Sequence, residues 1–357
     1  MFEQVLVYLQ SVIDTCIANE AAPVGKSAPE QVQRVVKILS IDGGGIRGII
    51  PAILLSEIER RTQSPIATLF DLIAGTSTGG ILALGLTIPR EPVVALYTAE
   101  ELVELYERQG ARIFSRSLLR KVFACDNLTW KKYSSEGIEN VLHAYFGESR
   151  LRDAVTDVLV TSYEIERRFP FFFKSTNARE RLDYDFPTRD VARATSAAPS
   201  YFAPFSLKTG GVPDHYTLID GGVFANNPAA CAVVEARVTF PQASSYLVVS
   251  LGTGSLLRTL PLYLAQYWGA ARWAKPLLDV VFDGLSSTVD YQLRQLLPAQ
   301  NYFRFQTMLN GHNHSLDNAS RENIQDLKAL GRDLIDRESQ QLDRVCEELV
   351  TSPSRMA

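Results

Sequence analysis

The chain has 357 residues, enough for two or more domains at roughly 150 residues each or for one large α/β domain. Its apolar fraction of 46% and charged fraction of 21% exclude a disordered or low-complexity chain, and a formal net charge of −4 leaves no basic field to hold nucleic acid. The four cysteines (Cys16, Cys125, Cys231, Cys346) lie far apart with no CxxC, a pattern of neither a disulfide framework nor a zinc site.

The chain opens with Phe2, Val5, Leu6, Leu9, Val12 and Ile13 at three- and four-residue spacing, the stripe of an amphipathic helix. Glu3 and Asp14 stand where a secretory signal would be positive, and no run approaches the roughly 18 apolar residues of a membrane span. This helix packs on its own domain or a sister subunit, or lies on a membrane surface; its polar face lacks the Lys and Arg that favour the last. Residues 19–34, rich in Ala, Pro, Gly and Ser, read as a linker, so 1–34 form one segment, 35–345 the folded body and 346–357 a tail.

The body begins with VVKILSI from Val35, a strand buried on both faces. It runs into Asp42, Gly43, Gly44, Gly45, Ile46, Arg47 and Gly48, then into a helix where Ile49, Ile50, Ile53, Leu54 and Ile58 recur at helical spacing. A second strand (Leu69–Ala74), a turn from Gly75 to Gly79 and a buried helix repeat the unit, and such alternation implies a parallel sheet. Residues 91–150 read as polar helices carrying Arg112, Arg116, Arg120 and Lys121, either a solvated face or an anion site. Val155–Tyr163 and Phe169–Lys174 read as strands, and Asp190 as the cap of a helix that Pro199 ends. Tyr216–Ile219 leads into Asp220, Gly221 and Gly222, and Tyr246–Leu251 into another glycine turn. Residues 256–297 are helical and aromatic, with Tyr263, Tyr267, Trp268, Trp273 and Phe282, which suits core or a subunit interface better than a lipid-facing surface. A last helix starts at Ser320.

Two turns could carry chemistry. The first fits G-x-G-x-x-G (Gly43, Gly45, Gly48), but a dinucleotide site also wants an acidic residue at the tip of the second strand, and Glu57 and Glu59 fall inside the helix instead. No Gly-Lys-Ser/Thr makes it a P-loop. The second turn fits G-x-S-x-G (Gly75, Ser77, Gly79), a serine on a sharp strand-to-helix bend. With Ser77 as nucleophile, the backbone amides of Gly43, Gly44 and Gly45 become candidate oxyanion donors. A base must come from His143, His215, His312, His314 or a carboxylate. A triad in the order Ser, acid, His leaves only His312 and His314, in a polar stretch that looks like an exposed loop. Asp220, at the end of an apolar strand, is the better base, provided the fold desolvates it and brings it to the hydroxyl.

ILSIDGGGIRGI, FDLIAGTSTGGILALGL and LIDGGVFANNP resemble the glycine-rich turn, nucleophile elbow and Asp-Gly-Gly segment of the patatin-like phospholipases. ATSAAPSYFAPF, VVSLGTG and LDNASRENIQDLKALG are similar to further segments of that family, so the resemblance spans roughly residues 35 to 345. It implies a three-layer α/β/α sandwich with a mainly parallel sheet and a Ser77/Asp220 dyad. It also implies an oxyanion hole at Gly43, Gly44 and Gly45, supported by Gly48, Gly75, Gly79, Gly221 and Gly222. The family is mostly acyl hydrolases of phospholipids or galactolipids with no metal, and the implied activity here is phospholipase A-type hydrolysis of membrane phospholipids, without a cofactor, by a cytoplasmic protein acting at the membrane surface. Some bacterial members serve as cyclic-nucleotide-activated effectors of anti-phage defence, and the extra N-terminal segment is compatible with such an activator and with a homo-oligomer. A ligand-regulated assembly effector with weak activity and a dinucleotide-binding oxidoreductase are the alternatives.

Overall fold

The computed structural model describes residues 34–91, 94–113, 135–256, 260–309 and 315–351. The N-terminal stripe, Arg116, Arg120, Lys121, His312 and His314 lie outside these residues. The two strand-turn-helix units are β1 (Val35–Ile41) with α1 (Ile49–Thr62) and β2 (Leu72–Thr76) with α2 (Thr78–Gly85). Helices α3 (Ala99–Ile113) and α4 (Ser135–Phe146) follow, then β3 (Asp157–Glu164), β4 (Phe169–Lys174), α5 (Thr188–Thr195), β5 (Phe205–Lys208) and β6 (His215–Asp220). The chain continues through α6 (Ala229–Thr239), β7 (Ser245–Leu251), α7 (Ala270–Leu296) and β8 (Tyr302–Phe305) to α8 (Arg321–Arg337) and α9 (Ser339–Thr351).

The sheet runs β8-β7-β1-β2-β3-β6-β5, with β4 on the other edge of β3. The pairs from β8 to β3 are parallel, and those joining β4, β5 and β6 are antiparallel. Alternation along β1 explains the layers, because side chains of a strand point to opposite faces. Leu39 and Ile41 pack with Ile50 and Leu54 of α1 and Leu327 of α8. Val36 and Ile38 pack on the opposite face with Ala232 and Ala236 of α6. Helices therefore cover both faces of a mainly parallel sheet: the parallel strands expected from the alternating pattern, in the three-layer sandwich that the family resemblance implies.

Lys37 is the one charge in this apolar strand, and it is fully buried. Its Nζ donates to the Leu349 carbonyl at 2.6 Å, in the last turn of α9, where the helix dipole favours a cation. Burial holds its pKa below the ordinary lysine value. Helix α9 runs to Thr351 and buries Cys346 and Leu349. The helix expected from Ser320 onward is two helices, broken at Glu338; Ser320 does cap the first, accepting from the Asn323 amide at 3.2 Å.

Three further expectations shift. The second strand starts at Leu72, after a helical turn at Ile66–Leu69. Asp190 sits inside the first turn of α5, whose cap position is Pro187. The aromatic stretch is divided: Tyr263 and Tyr267 are exposed and so not core, whereas Trp268, Trp273 and Phe282 are half-buried, since ring spacing on a helix does not say which face meets the body. No described helix is long and apolar enough to cross a membrane.

Candidate active site

Ile41 pairs with Gly75 across β1 and β2, so the two parallel strands end side by side and their turns are neighbours. Open α/β sheets bind ligands at this carboxyl end. In the second turn Ser77 takes φ 54° and ψ −121° and stands at the N-cap of α2. The flanking glycines are required by contact: a Cβ on Gly75 would fall 2.2 Å from the Gly79 carbonyl oxygen, and one on Gly79 2.1 Å from that of Ile41. The strained serine is held from behind. Its amide donates to Thr195 Oγ1 at 2.8 Å, and that hydroxyl donates to the Thr161 carbonyl at 2.7 Å.

The first turn divides the three glycines expected to act together. The Gly43 amide donates to the Asn226 carbonyl at 2.9 Å, and its own carbonyl accepts from Thr253 Oγ1 at 2.7 Å. That amide is occupied, whereas Gly44 and Gly45 line the cavity with Ser77. Gly45 has φ 57°, and the 3-10 turn Gly45–Gly48 leads straight into α1, so a helix start faces the cavity from this side too. Gly48 passes so close to α2 that a Cβ would sit 2.2 Å from Thr78 Oγ1. Arg47, buried beside these glycines, donates from Nε to the Gly44 carbonyl at 3.3 Å.

Asp220 reaches Ser77 through the topology of β3. Thr161 pairs with Thr76 on one side and Phe172 on the other, and Ser162 pairs with Phe171 and Asp220. Since β4 occupies one edge throughout, β2 and β6 share the other edge and run head-on towards each other. Their ends, Thr76 and Asp220, face consecutive residues of β3. A Cβ on Gly221 would fall 2.1 Å from Thr161 Oγ1, so the chain after Asp220 can pass only as glycine. Asp220 is 3% exposed, and its carboxylate accepts the Gly222 amide at 2.8 Å. Burial pushes its pKa up to about 7, while the neighbouring Ser77 hydroxyl and then the Gly222 amide pull it back.

The cavity above the pair is tight, about 60 Å³, and one-sided. Gly44, Gly45, Ser77 and Asp220 form its polar end, and Ile81, Ile113, Ile138, Phe202 and Phe282 its apolar wall. Tyr106 lines it as well, its hydroxyl bonded to that of Thr78, and burial raises its pKa. Serine, buried carboxylate, glycines that line the cavity and an apolar slot are the parts of an acyl-transfer site.

The other sequence candidates stand elsewhere. His143 is exposed, and His215 is bonded to Asp214 at 2.8 Å at the far end of β6 from Asp220. Arg112 is exposed and bonds Gln109 at 3.3 Å. Leu316, just beyond His312 and His314, lines the cavity. Ser77, not an acid, stands past the tip of β2, where a dinucleotide site would place its ribose-binding carboxylate.

Several residues escaped the sequence reading. Thr195, Asn226 and Asn227 lie in the segments ATSAAPSYFAPF and ANNP, noted for likeness but given no role. Asn226 Nδ2 donates to Ser286 Oγ at 3.0 Å, and Asn227 Oδ1 accepts the Ala229 amide at 3.0 Å, tying the strand end to α6 and α7. Arg304 of β8 grips buried Asp42 through both nitrogens, at 2.9 and 2.6 Å, and so anchors the start of the first turn. Nothing in the sequence near Arg304 marks that pairing, which joins residues 262 apart.

The model of the family described as patatin-like phospholipase matches residues 39–233, more than half of the chain. The chain belongs to the patatin-like phospholipase family. Patatin-like protein 2 of Arabidopsis thaliana is 33% identical over 352 residues, covering 88% of this chain and 86% of its own. Patatin-T5 of Solanum tuberosum is 32% identical, covering 84% of each. Among solved structures, the human GIVD cytosolic phospholipase A2 aligns with a TM-score of 0.47 and 11% identity, over 91% of this chain and 62% of its own. Family membership makes the chain a lipid acyl hydrolase and its substrates lipids.

Proposed function

We propose that Ser77 and Asp220 are a catalytic dyad that hydrolyses the carboxylic esters of membrane phospholipids, a phospholipase A-type reaction. The observation that carries this reading is the buried Asp220 carboxylate beside the hydroxyl of a serine held at a strained strand-to-helix bend. Asp220 takes the Ser77 proton as Oγ adds to the ester carbonyl. The oxyanion that forms is held by the amides of Gly44 and Gly45 and lies at the start of α2. Collapse breaks the ester C–O bond, and Asp220 gives its proton to the departing alkoxide oxygen. Water then attacks the acyl-serine, with Asp220 taking one proton and returning it to Ser77 Oγ as the fatty acid leaves. A carboxylate with a pKa near 7 suits both directions of transfer, since a general base works best when matched to the operating pH.

The test is product analysis on mixed phospholipid vesicles with wild type and Ser77→Ala. Free fatty acid and lysolipid from wild type alone support the dyad, and release by the variant removes it. The same assay with cyclic dinucleotides added tests the activator expected from the extra N-terminal segment: unchanged turnover removes that role.

A further inference from the structure

Helix α7 is 27 residues long and has two unlike faces. Its inner face serves the candidate site: Phe282 lines the cavity, and Ser286 accepts from Asn226 Nδ2. Its outer face breaks the usual rule that the solvent side of a helix is charged. Between residues 277 and 291 the exposed positions are Leu277, Val280, Gly284, Ser287, Thr288 and Tyr291, a stripe at three- and four-residue spacing with no charge over about 21 Å. The charges of this stretch are withdrawn from that face. Asp279, Asp283 and Asp290 are all half-buried; the first two act electrostatically on buried Arg47, and Asp290 accepts from Arg294 and from the Tyr302 hydroxyl. Just before the helix, the turn Leu262–Ala265 and the residues after it expose Leu262, Tyr263, Leu264 and Tyr267.

We propose that the outer face of α7, with the Leu262–Tyr267 segment, is the surface on which the protein seats on a lipid bilayer of uncharged net headgroup. This rests on the lipid-ester reading of the Ser77 site and deepens it. Two observations favour a bilayer over a second copy of the chain. The helix that carries the apolar stripe also forms a wall of the cavity, so docking there sets the site against the substrate's source. The aromatic residues of the patch are tyrosines, whose rings can enter the apolar layer while their hydroxyls stay in the wet headgroup region; a dry protein interface would have to pair each of those hydroxyls. The helix does not meet the requirement for crossing a membrane, so it lies along the surface. No Lys or Arg lies between Leu277 and Tyr291, so attachment through the stripe depends on apolar area and not on attraction to anionic lipid.

The experiment uses the full chain in two backgrounds. In Ser77→Ala, which binds without turnover, sedimentation with phosphatidylcholine vesicles measures docking. The pairs Leu277→Ser with Val280→Ser and Tyr263→Ser with Tyr267→Ser are each expected to weaken it by tenfold or more, since loss of buried apolar area acts exponentially on partitioning. Raising the salt to about 1 M is expected to leave it unchanged, as screening removes only charge attraction. In the wild-type background the same pairs should cleave a soluble short-chain p-nitrophenyl ester at the wild-type rate, which shows them folded, and vesicle phospholipid tenfold more slowly. Equal vesicle binding by wild type and both pairs overturns the docking surface while leaving the hydrolase intact. A wild type that cleaves neither ester overturns the hydrolase reading instead. If the pairs turn a dimer into a monomer with vesicle binding unaltered, the face belongs to a second copy and the proposal is wrong.

Discussion

The turns after β1 and β2 both lead from a parallel strand into a helix, and each bends through one residue of positive φ, Gly45 at 57° and Ser77 at 54°. Gly45 takes that conformation without strain, and a side chain there would strike the Leu316 carbonyl oxygen at 2.2 Å. Ser77 holds it at a cost on the order of 1–3 kcal/mol, because its amide is bound to Thr195 and the turn packs tightly at Gly75 and Gly79. A positive φ is thus taken by glycine where the proposed mechanism uses a backbone amide and by serine where it uses a side chain.

The strongest way to break this pairing is at the dyad. Ser77→Ala or Asp220→Asn should lower kcat for ester hydrolysis by roughly 10⁴-fold or more with the fold intact, read by circular dichroism and product release. His312→Ala and His314→Ala should retain activity, and a loss of similar size in either would restore a triad. In the first turn, Gly44→Ala places a Cβ 2.2 Å from Thr253 Oγ1 and should cost on the order of 10²-fold in kcat, together with a lower melting temperature. Thr195→Val removes the hydroxyl that joins the Ser77 amide to Thr161. About a tenfold drop in kcat with little change in KM is expected, with recovery in Thr195→Ser.

The pH dependence follows from Asp220. As a base it must be ionised, so kcat/KM should rise with pH through about 7. Stability should move the other way. The folded value near 7 lies above the unfolded 3.8, so the folded state keeps an extra proton between them and loses stability as pH climbs from about 4 to about 7. Asp220→Asn escapes this loss and should melt higher than wild type at pH 8, by an energy on the order of 4 kcal/mol at the usual conversion of pKa units. A variant that melts lower there would mean the carboxylate is not desolvated in solution. The finest test compares Ser77→Gly with Ser77→Ala. Both lack the hydroxyl, so their difference isolates the bend, and glycine should be the more stable by about 1 kcal/mol in denaturant unfolding.

Legibility in the sequence tracked locality. G-x-S-x-G and the glycine run were readable because each is one turn whose sterics involve neighbours in the chain. The strands β1, β3, β4 and β7 were readable because burial on a sheet face leaves continuous or alternating apolar runs. The four-residue strands β5 and β8 were not, being too short to show a period. Gly43 shows a related limit: from sequence its amide looks as available as that of Gly44, and only the return of the chain at Asn226 gives it a partner.

The sequence by itself determined the class of sheet, the two turns, the nucleophile candidate and the carboxylate at the end of β6, since each follows from local spacing and composition. Only the tertiary structure decided that β2 and β6 meet head-on along β3, and that meeting is what buries Asp220 against Ser77 and raises its pKa. It likewise decided that the aromatic helix turns Phe282 inward and its uncharged stripe outward. The physical reason is common to both: a hydropathy pattern says that a face will be buried or exposed, whereas desolvation, hydrogen bonding and contact depend on which distant segment arrives there.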